Sequence, residues 1–140
     1  MNRVLVGKLR AFFKRQNDVQ FAYLFGSNAN GTAGKLSDVD VAVYLKPSIS
    51  KKEYLTIKLR LISDLVQACG TDRVDLTILN ESALHLNNNV VANGVLLASS
   101  NEKERARFES STISRFMARK PVLERRSAAV IRRVARVGLA

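Results

Sequence analysis

The chain has 140 residues, room for one domain with a buried core, and its 46% hydrophobic and 25% charged residues are ordinary for a globular protein. Its single cysteine, Cys69, excludes an internal disulfide, and with one histidine, His85, it cannot alone build a zinc centre. The formal net charge of +11 is not ordinary and implies an acidic partner: nucleic acid, a polyphosphate or an acidic protein face.

Val4, Leu5, Leu9, Phe12 and Phe13 recur at helical spacing and predict an opening amphipathic helix that ends near Lys14. Lys and Arg are scattered through this segment, without the charged region, clean apolar run and cleavage site of a secretory leader. No stretch approaches the ~20 apolar residues that a bilayer span needs, so a cytoplasmic location is expected. Val19 to Phe25, VQFAYLF, reads as a strand stopped by Gly26. Asp38 to Leu45, DVDVAVYL, reads as a second strand, closed by Pro47.

Ser48 or Ser50 can cap a helix that runs to Cys69 and stops at Gly70, with Leu55, Leu59, Ile62, Leu65 and Val66 as its apolar face. Arg73 to Leu79 is a third strand, and Ser82 opens a shorter helix ended by Asn93-Gly94. The run VLLAS that follows is of strand length. From Asn101 the pattern is helical, with a break expected at Pro121. Phe108, Thr112, Arg115 and Phe116 form a weak stripe before it, and Leu123, Ser127, Val130, Ile131 and Val134 a better one after it. Cys69 falls in an apolar helical pattern as an inert buried thiol, and His85 as a surface or half-buried helix residue. Strands alternating with helices indicate an α/β or α+β domain around a small mixed sheet. We expect residues 1–100 to form its core and residues 101–140 a basic helical extension of the same domain.

The chemistry lies in residues 24–45, LFGSNANGTAGKLSDVDVAVYL. Residues i and i+2 of a strand share a face, so Asp38 and Asp40 project side by side. Two like charges that close gain nothing structurally at the start of an apolar strand. A divalent cation resolves the conflict, because Mg²⁺ takes hard carboxylate oxygens together with substrate phosphates. Two such ions ~3.5–4 Å apart would clamp the attacking and leaving oxygens of an in-line displacement at phosphorus. That arrangement wants a third carboxylate, and Asp75, between Val74 and Leu76, supplies it if its strand lies beside the Asp38–Asp40 strand. Asp75 could also accept the proton of the attacking hydroxyl, and Asp72 is a weaker candidate for the same work. Gly26 lets the backbone approach an anion, Ser27 adds a hydroxyl donor, and Lys35 stands near the end of the turn-rich loop NANGTAGK. A lone Asp-x-Asp is usually a surface turn and a lone Gly-Ser is noise. Here both fall at strand edges, ten residues apart, with a third strand aspartate after them.

At these residues the sequence resembles the DNA polymerase β-like nucleotidyltransferase superfamily, whose signature is Gly-Ser, a spacer, Asp-x-Asp and a later strand aspartate. The match covers roughly residues 19–79. The resemblance implies that Gly26 and Ser27 hold the triphosphate of ATP and that Asp38, Asp40 and Asp75 hold two Mg²⁺ ions. Larger members carry extra domains for the acceptor; this chain has only the core and a tail, and is most similar to the minimal nucleotidyltransferases (MNT) that act as antitoxins beside HEPN-domain, HepT-like toxins. Such proteins are held to transfer AMP to a tyrosine of the partner ribonuclease. The chain departs from the family in carrying Asn28 where a basic residue often follows Gly-Ser, with Lys35 the cation that could compensate.

The tail is unusually basic. From Arg115 onward seven arginines and one lysine face only Glu124, a net +7 of the total. A solvated helix face is the ordinary account of such a run. Docking on an acidic toxin surface, or contact with operator DNA, are the functional ones. No helix-turn-helix pattern or aromatic interleaving is visible, which favours protein docking. Two other functions fit the same residues: a small-molecule nucleotidyltransferase that works with a separate substrate-binding subunit, and a non-catalytic antitoxin that acts by occlusion.

Overall fold

The structure, a computed structural model, describes residues 3–26, 29 and 38–137, and from residue 120 onward the backbone alone. The elements in chain order are α1 (Arg3–Lys14), β1 (Val19–Phe25), β2 (Val39–Leu45), a 3₁₀ turn (Lys51–Glu53) running into α2 (Tyr54–Cys69), β3 (Val74–Ile78), α3 (Leu84–Asn93), β4 (Val95–Ser99) and α4 (Glu102–Val137). Among the described residues the strands form one four-stranded sheet in the order β3-β2-β1-β4. β1 pairs antiparallel with both β2 and β4, while β2 and β3 run parallel, so the sheet is mixed as expected. The parallel pair needs a crossover, and the 3₁₀ turn with α2 provides it.

The two faces of the sheet are packed differently. Leu24, Val41, Val43 and Leu76 point to one face, where Leu9 and Phe13 of α1 and Leu61 and Leu65 of α2 close a core whose strand residues are all aliphatic. Each fully buried leucine there contributes roughly 1.5–3 kcal/mol relative to exposure. The opposite face carries Phe21, Tyr23 and Ala42, covered by Val90 of α3 and Phe108 of α4. Tyr44 stacks on Phe21 with centroids 4.6 Å apart, and Phe108 tilts against both at 5.1 and 5.4 Å. The Tyr23 hydroxyl donates to Glu109 at 2.5 Å, and Glu109 also accepts from Arg105 at 2.9 Å, which ties α4 to the central strand.

Local chemistry explains most boundaries. Gly70 ends α2 in the left-handed region at φ 70°, its N–H donating to Val66 O at 3.0 Å. Ser50 begins the 3₁₀ turn but its side chain makes no capping hydrogen bond. Ser82 stands before α3 and donates instead to Asn87 Oδ1, while Asn87 Nδ2 donates to Leu79 O at 3.2 Å. Asn80 prolongs the β2–β3 pairing with a reciprocal pair: it accepts from Leu45 N–H at 2.8 Å and donates to Leu45 O at 3.0 Å.

Three expectations need correction. The helix does not break at Pro121, for α4 is continuous from Glu102 to Val137. Proline's fixed φ is itself helical, and one missing N–H forfeits a single bond between strongly helix-forming flanks. The side chains of the stripe from Leu123 to Val134 lie outside the described residues. The core face of α2 is Tyr54, Ile57, Leu61 and Leu65, whereas Leu55 and Leu59 are 66% and 59% exposed. In α1, Val6 is buried in place of Val4, which is exposed. Cys69 is half-buried, with burial pushing its thiol pKa up, and His85 is exposed. Among the described residues no helix is long and apolar enough to cross a membrane.

Candidate active site

β2 is central in the sheet and begins with its charged residues. Asp38 immediately precedes the strand and is exposed; Asp40, two residues on, is half-buried on the same side as Ala42 and Tyr44. Leu76 and Ile78 of β3 point into the aliphatic core, so Asp75 takes the other face, the one that holds Asp40. The parallel register sets Asp40 directly beside Asp75. Val39 N–H donates to Arg73 O at 2.7 Å, which locks this register at its start. The adjacency that the sequence left conditional is therefore present.

Phe25 of β1 is the antiparallel partner of Asp40, and the chain turns at the next residue. Gly26 has φ 76°, a conformation L side chains rarely adopt. A Cβ built there would sit 2.5 Å from Asp40 Oδ2, so only glycine lets the backbone pass over this carboxylate. Gly26 O accepts from Ala29 N–H at 3.1 Å as the chain curls away. Ser27, Asn28 and Lys35, the remaining parts of the expected phosphate grip, lie outside the described residues.

Electrostatics single out the middle carboxylate. The Asp40 carboxyl is held above its ordinary pKa, first by burial and then by the negative charges of Asp75 and Asp38. Asp75 Oδ1 accepts from Leu76 N–H at 3.0 Å. Among the described residues no three acidic, histidine or cysteine side chains close around a common point. Like charges have no reason to converge without a cation between them. The donor set still fits a hard divalent ion: oxygen ligands only, two of them adjacent in register, and a third charge that raises the pKa of the half-buried one. Asp72, exposed and ahead of β3, is not part of this pairing.

The opposite ends of β2 and β3 hold residues that the sequence pattern did not signal. There a cleft of about 800 Å³ is lined by Tyr44, Asn80, Ser82, Glu104, Arg107 and Arg115, among others. It lies four residues along β2 from Asp40, roughly 13 Å, and none of the three aspartates lines it. It is assembled from β2, the turn after β3 and α4, parts too far apart in sequence to form a motif.

Comparison with known proteins places the fold and the family. No curated protein matches the sequence significantly. Among solved structures, a toxin–antitoxin crystal structure with AMP-PNP is 27% identical with a TM-score of 0.67, covering 96% of this chain and 99% of that one. A mutant MntA–HpeT toxin–antitoxin complex gives 26% identity and a TM-score of 0.67 over the same shares. The fold is also that of an MNT antitoxin chain in complex with tri-AMPylated Shewanella oneidensis HEPN toxin, at 24% identity, a TM-score of 0.62 and coverage of 96% and 99%. The chain thus resembles MntA. The family model described as polymerase beta, nucleotidyltransferase matches residues 7–103, which takes in most of α1, the whole sheet and all three aspartates. With its acidic pair on neighbouring strands, and its glycine turned over one of them, the chain belongs to the polymerase β nucleotidyltransferase family.

Proposed function

We propose that this chain is a protein adenylyltransferase antitoxin, which moves AMP from ATP to a tyrosine of a HEPN-family ribonuclease toxin and so silences it. The observation that carries the reading is the register: Asp40 beside Asp75, with the charge of Asp38 near enough to act on Asp40 and Gly26 over Asp40. The 27%-identical toxin–antitoxin structure with AMP-PNP supports the nucleotide and the class of partner.

In this reading Asp38, Asp40 and Asp75 hold Mg²⁺, which when bound supplies neutralisation of the triphosphate charge. Gly26 and Ser27 position the triphosphate through backbone approach and a hydroxyl donor, with Lys35 as a further cation. The acceptor oxygen attacks the α-phosphorus, its proton passes to a carboxylate for which Asp75 is the candidate, and pyrophosphate leaves. Residues 1–100 do the chemistry and the basic segment from 101 to 140 meets the partner, protein in preference to operator DNA.

The test is co-incubation of this protein with the toxin, ATP and Mg²⁺, followed by separation and measurement of toxin mass and ribonuclease activity. A mass gain of AMP size with lasting inactivation is expected, because a phosphodiester does not leave with the complex. Full recovery of activity with no mass gain sinks the reading. It would point to occlusion, which Asn28 in place of a basic residue favours. Turnover with an antibiotic or metabolite and no protein partner would instead assign the chain to small-molecule transfer.

A further inference from the structure

The most regular apolar stripe of α2 begins on its outward face, with Leu55 and Leu59, and runs in to the edge of the core at Ile62. Leu55, Leu59, Ile62 and Val66 follow one another at four, three and four residues, the spacing of a coiled-coil seam. Leu55 is 66% exposed and Leu59 59% exposed, while Ile62 and Val66 are half-buried. The helix buries a different set, Tyr54, Ile57, Leu61 and Leu65, turned roughly 120° around its axis. The helix therefore has two apolar stripes: the fold covers the first and the Ile62 end of the second, and leaves Leu55 and Leu59 uncovered. Two large, well-exposed leucines one turn apart are not the scattered apolar residues of an ordinary surface.

The charges around the seam are sorted. Lys52 stands one turn before Leu55, and Lys58 flanks the seam between Leu55 and Ile62. The acidic residues of this segment, Glu53 and Asp64, fall on the other side, as does Arg60, which pairs with Asp18 at 2.7 Å. The rim is thus basic only.

That sorting selects the occupant. A second copy would meet this face through a two-fold axis and oppose the same patch to itself. Lysines would then face the other copy's lysines or its Ser63 and Gln67, with no carboxylate available, in a chain that already carries +11. We infer that the outward face of α2 docks an amphipathic helix of the HEPN toxin, whose apolar stripe is rimmed by Asp and Glu. This rests on the toxin being the partner, and adds to the basic tail a second surface of this chain on which it sits. The seam from Leu55 to Val66 spans about 17 Å, the size of an anchoring centre within a standard interface.

The experiment uses the full chain with Leu55→Glu and Leu59→Glu together, titrated against the HEPN toxin of its own genome. Both side chains are exposed, so the melting temperature and ATP·Mg²⁺ binding should match the unaltered chain. Toxin affinity should fall about thirtyfold or more, the loss expected of a central anchor. Lys52→Glu with Lys58→Glu should slow association in a salt-dependent way. Unaltered toxin affinity in the leucine variant, or failure of the unaltered chain to bind the toxin at all, overturns the inference. So does a concentration-dependent dimer of this chain that the leucine variant abolishes, which would give the face to a second copy. AMP transfer is read separately: a complex lost on substitution but without AMP transfer keeps the docking face and removes the catalytic reading, whereas transfer with unaltered affinity does the reverse.

Discussion

One face of the sheet is aliphatic from end to end; the other starts on aromatic rings and finishes on carboxylates. The same strands build both, by period-two alternation. Toward α1 and α2, Leu24, Val41, Val43 and Leu76 are all but fully buried against leucine and phenylalanine. Toward α3 and α4, Phe21 and Tyr44 stack, while Asp40 and Asp75 occupy the far end of the same face. The first face is apolar throughout, and the crowded carboxylates lie on the second. An Asp40 whose pKa is raised by burial and by its neighbours is tolerated because the opposite face is fully packed.

The contrast is sharpest under substitution, and Asp40→Asn should give the largest effect. Transfer of label from α-labelled ATP to the acceptor should be abolished, as should that of Asp38→Ala, while the metal-free melting temperature rises. The sign follows from the raised pKa. Protonated Asp40 favours the fold below the unfolded pKa, and this contribution is lost as pH rises through the higher folded one. Melting curves across the acid range should therefore show a loss of stability with rising pH that Asp40→Asn removes. A variant that keeps wild-type transfer breaks the assignment of the two faces.

On the other face Leu61→Ala should cost roughly 2–5 kcal/mol by denaturant unfolding, as a fully buried leucine leaving a cavity. In the protein that still folds, ATP binding should be preserved. Gly26→Ala sits at the border of the two behaviours. Its left-handed backbone adds a cost of about 1–2 kcal/mol, and the new methyl group meets Asp40 Oδ2, so it should lower both stability and activity. Stability lost without loss of activity would show that the close passage over Asp40 is structural only. Ser27→Ala should remove one hydroxyl bond to the triphosphate, about 0.5–1.5 kcal/mol in nucleotide affinity, and lower the rate without abolishing it.

The smallest effect is expected at the join of sheet and tail. Tyr23→Phe removes the donor to Glu109, about 1 kcal/mol, and leaves Glu109 paired with Arg105 alone. A change in melting temperature with unaltered nucleotide binding is the expected pattern. A loss of nucleotide affinity would mean that α4 and the carboxylate end of the sheet are mechanically coupled.

Much of the site was legible in the residues themselves. A strand has only two faces, so the Asp-x-Asp spacing was legible as two neighbouring carboxylates, although Asp38 stands just ahead of β2 and only Asp40 lies in the strand. Gly26 was legible as a turn, but its reason was not, because the carboxylate it clears lies on another strand. Asp75 was legible only as a charge out of place between Val74 and Leu76. Its partnership with Asp40 depends on a parallel register that a whole crossover helix has to deliver.

Helices show the other limit. α2 has two apolar stripes roughly 120° apart, and the sequence pattern put Leu55, Leu59, Ile62, Leu65 and Val66 on the core face, of which Leu65 is fully buried. The packed structure chose Tyr54, Ile57, Leu61 and Leu65. Rotation about a helix axis costs the helix nothing by itself and is decided only by what α1 and the sheet present to it. Pro121 is a similar case, since a proline's local penalty is fixed while the outcome depends on the flanking turns that hold the helix together. Local sequence therefore settled the elements up to residue 101 and the pairing of neighbours along a strand, where covalent geometry leaves two choices. Tertiary packing decided which helix face turned inward and which strands met, where many choices are locally equivalent.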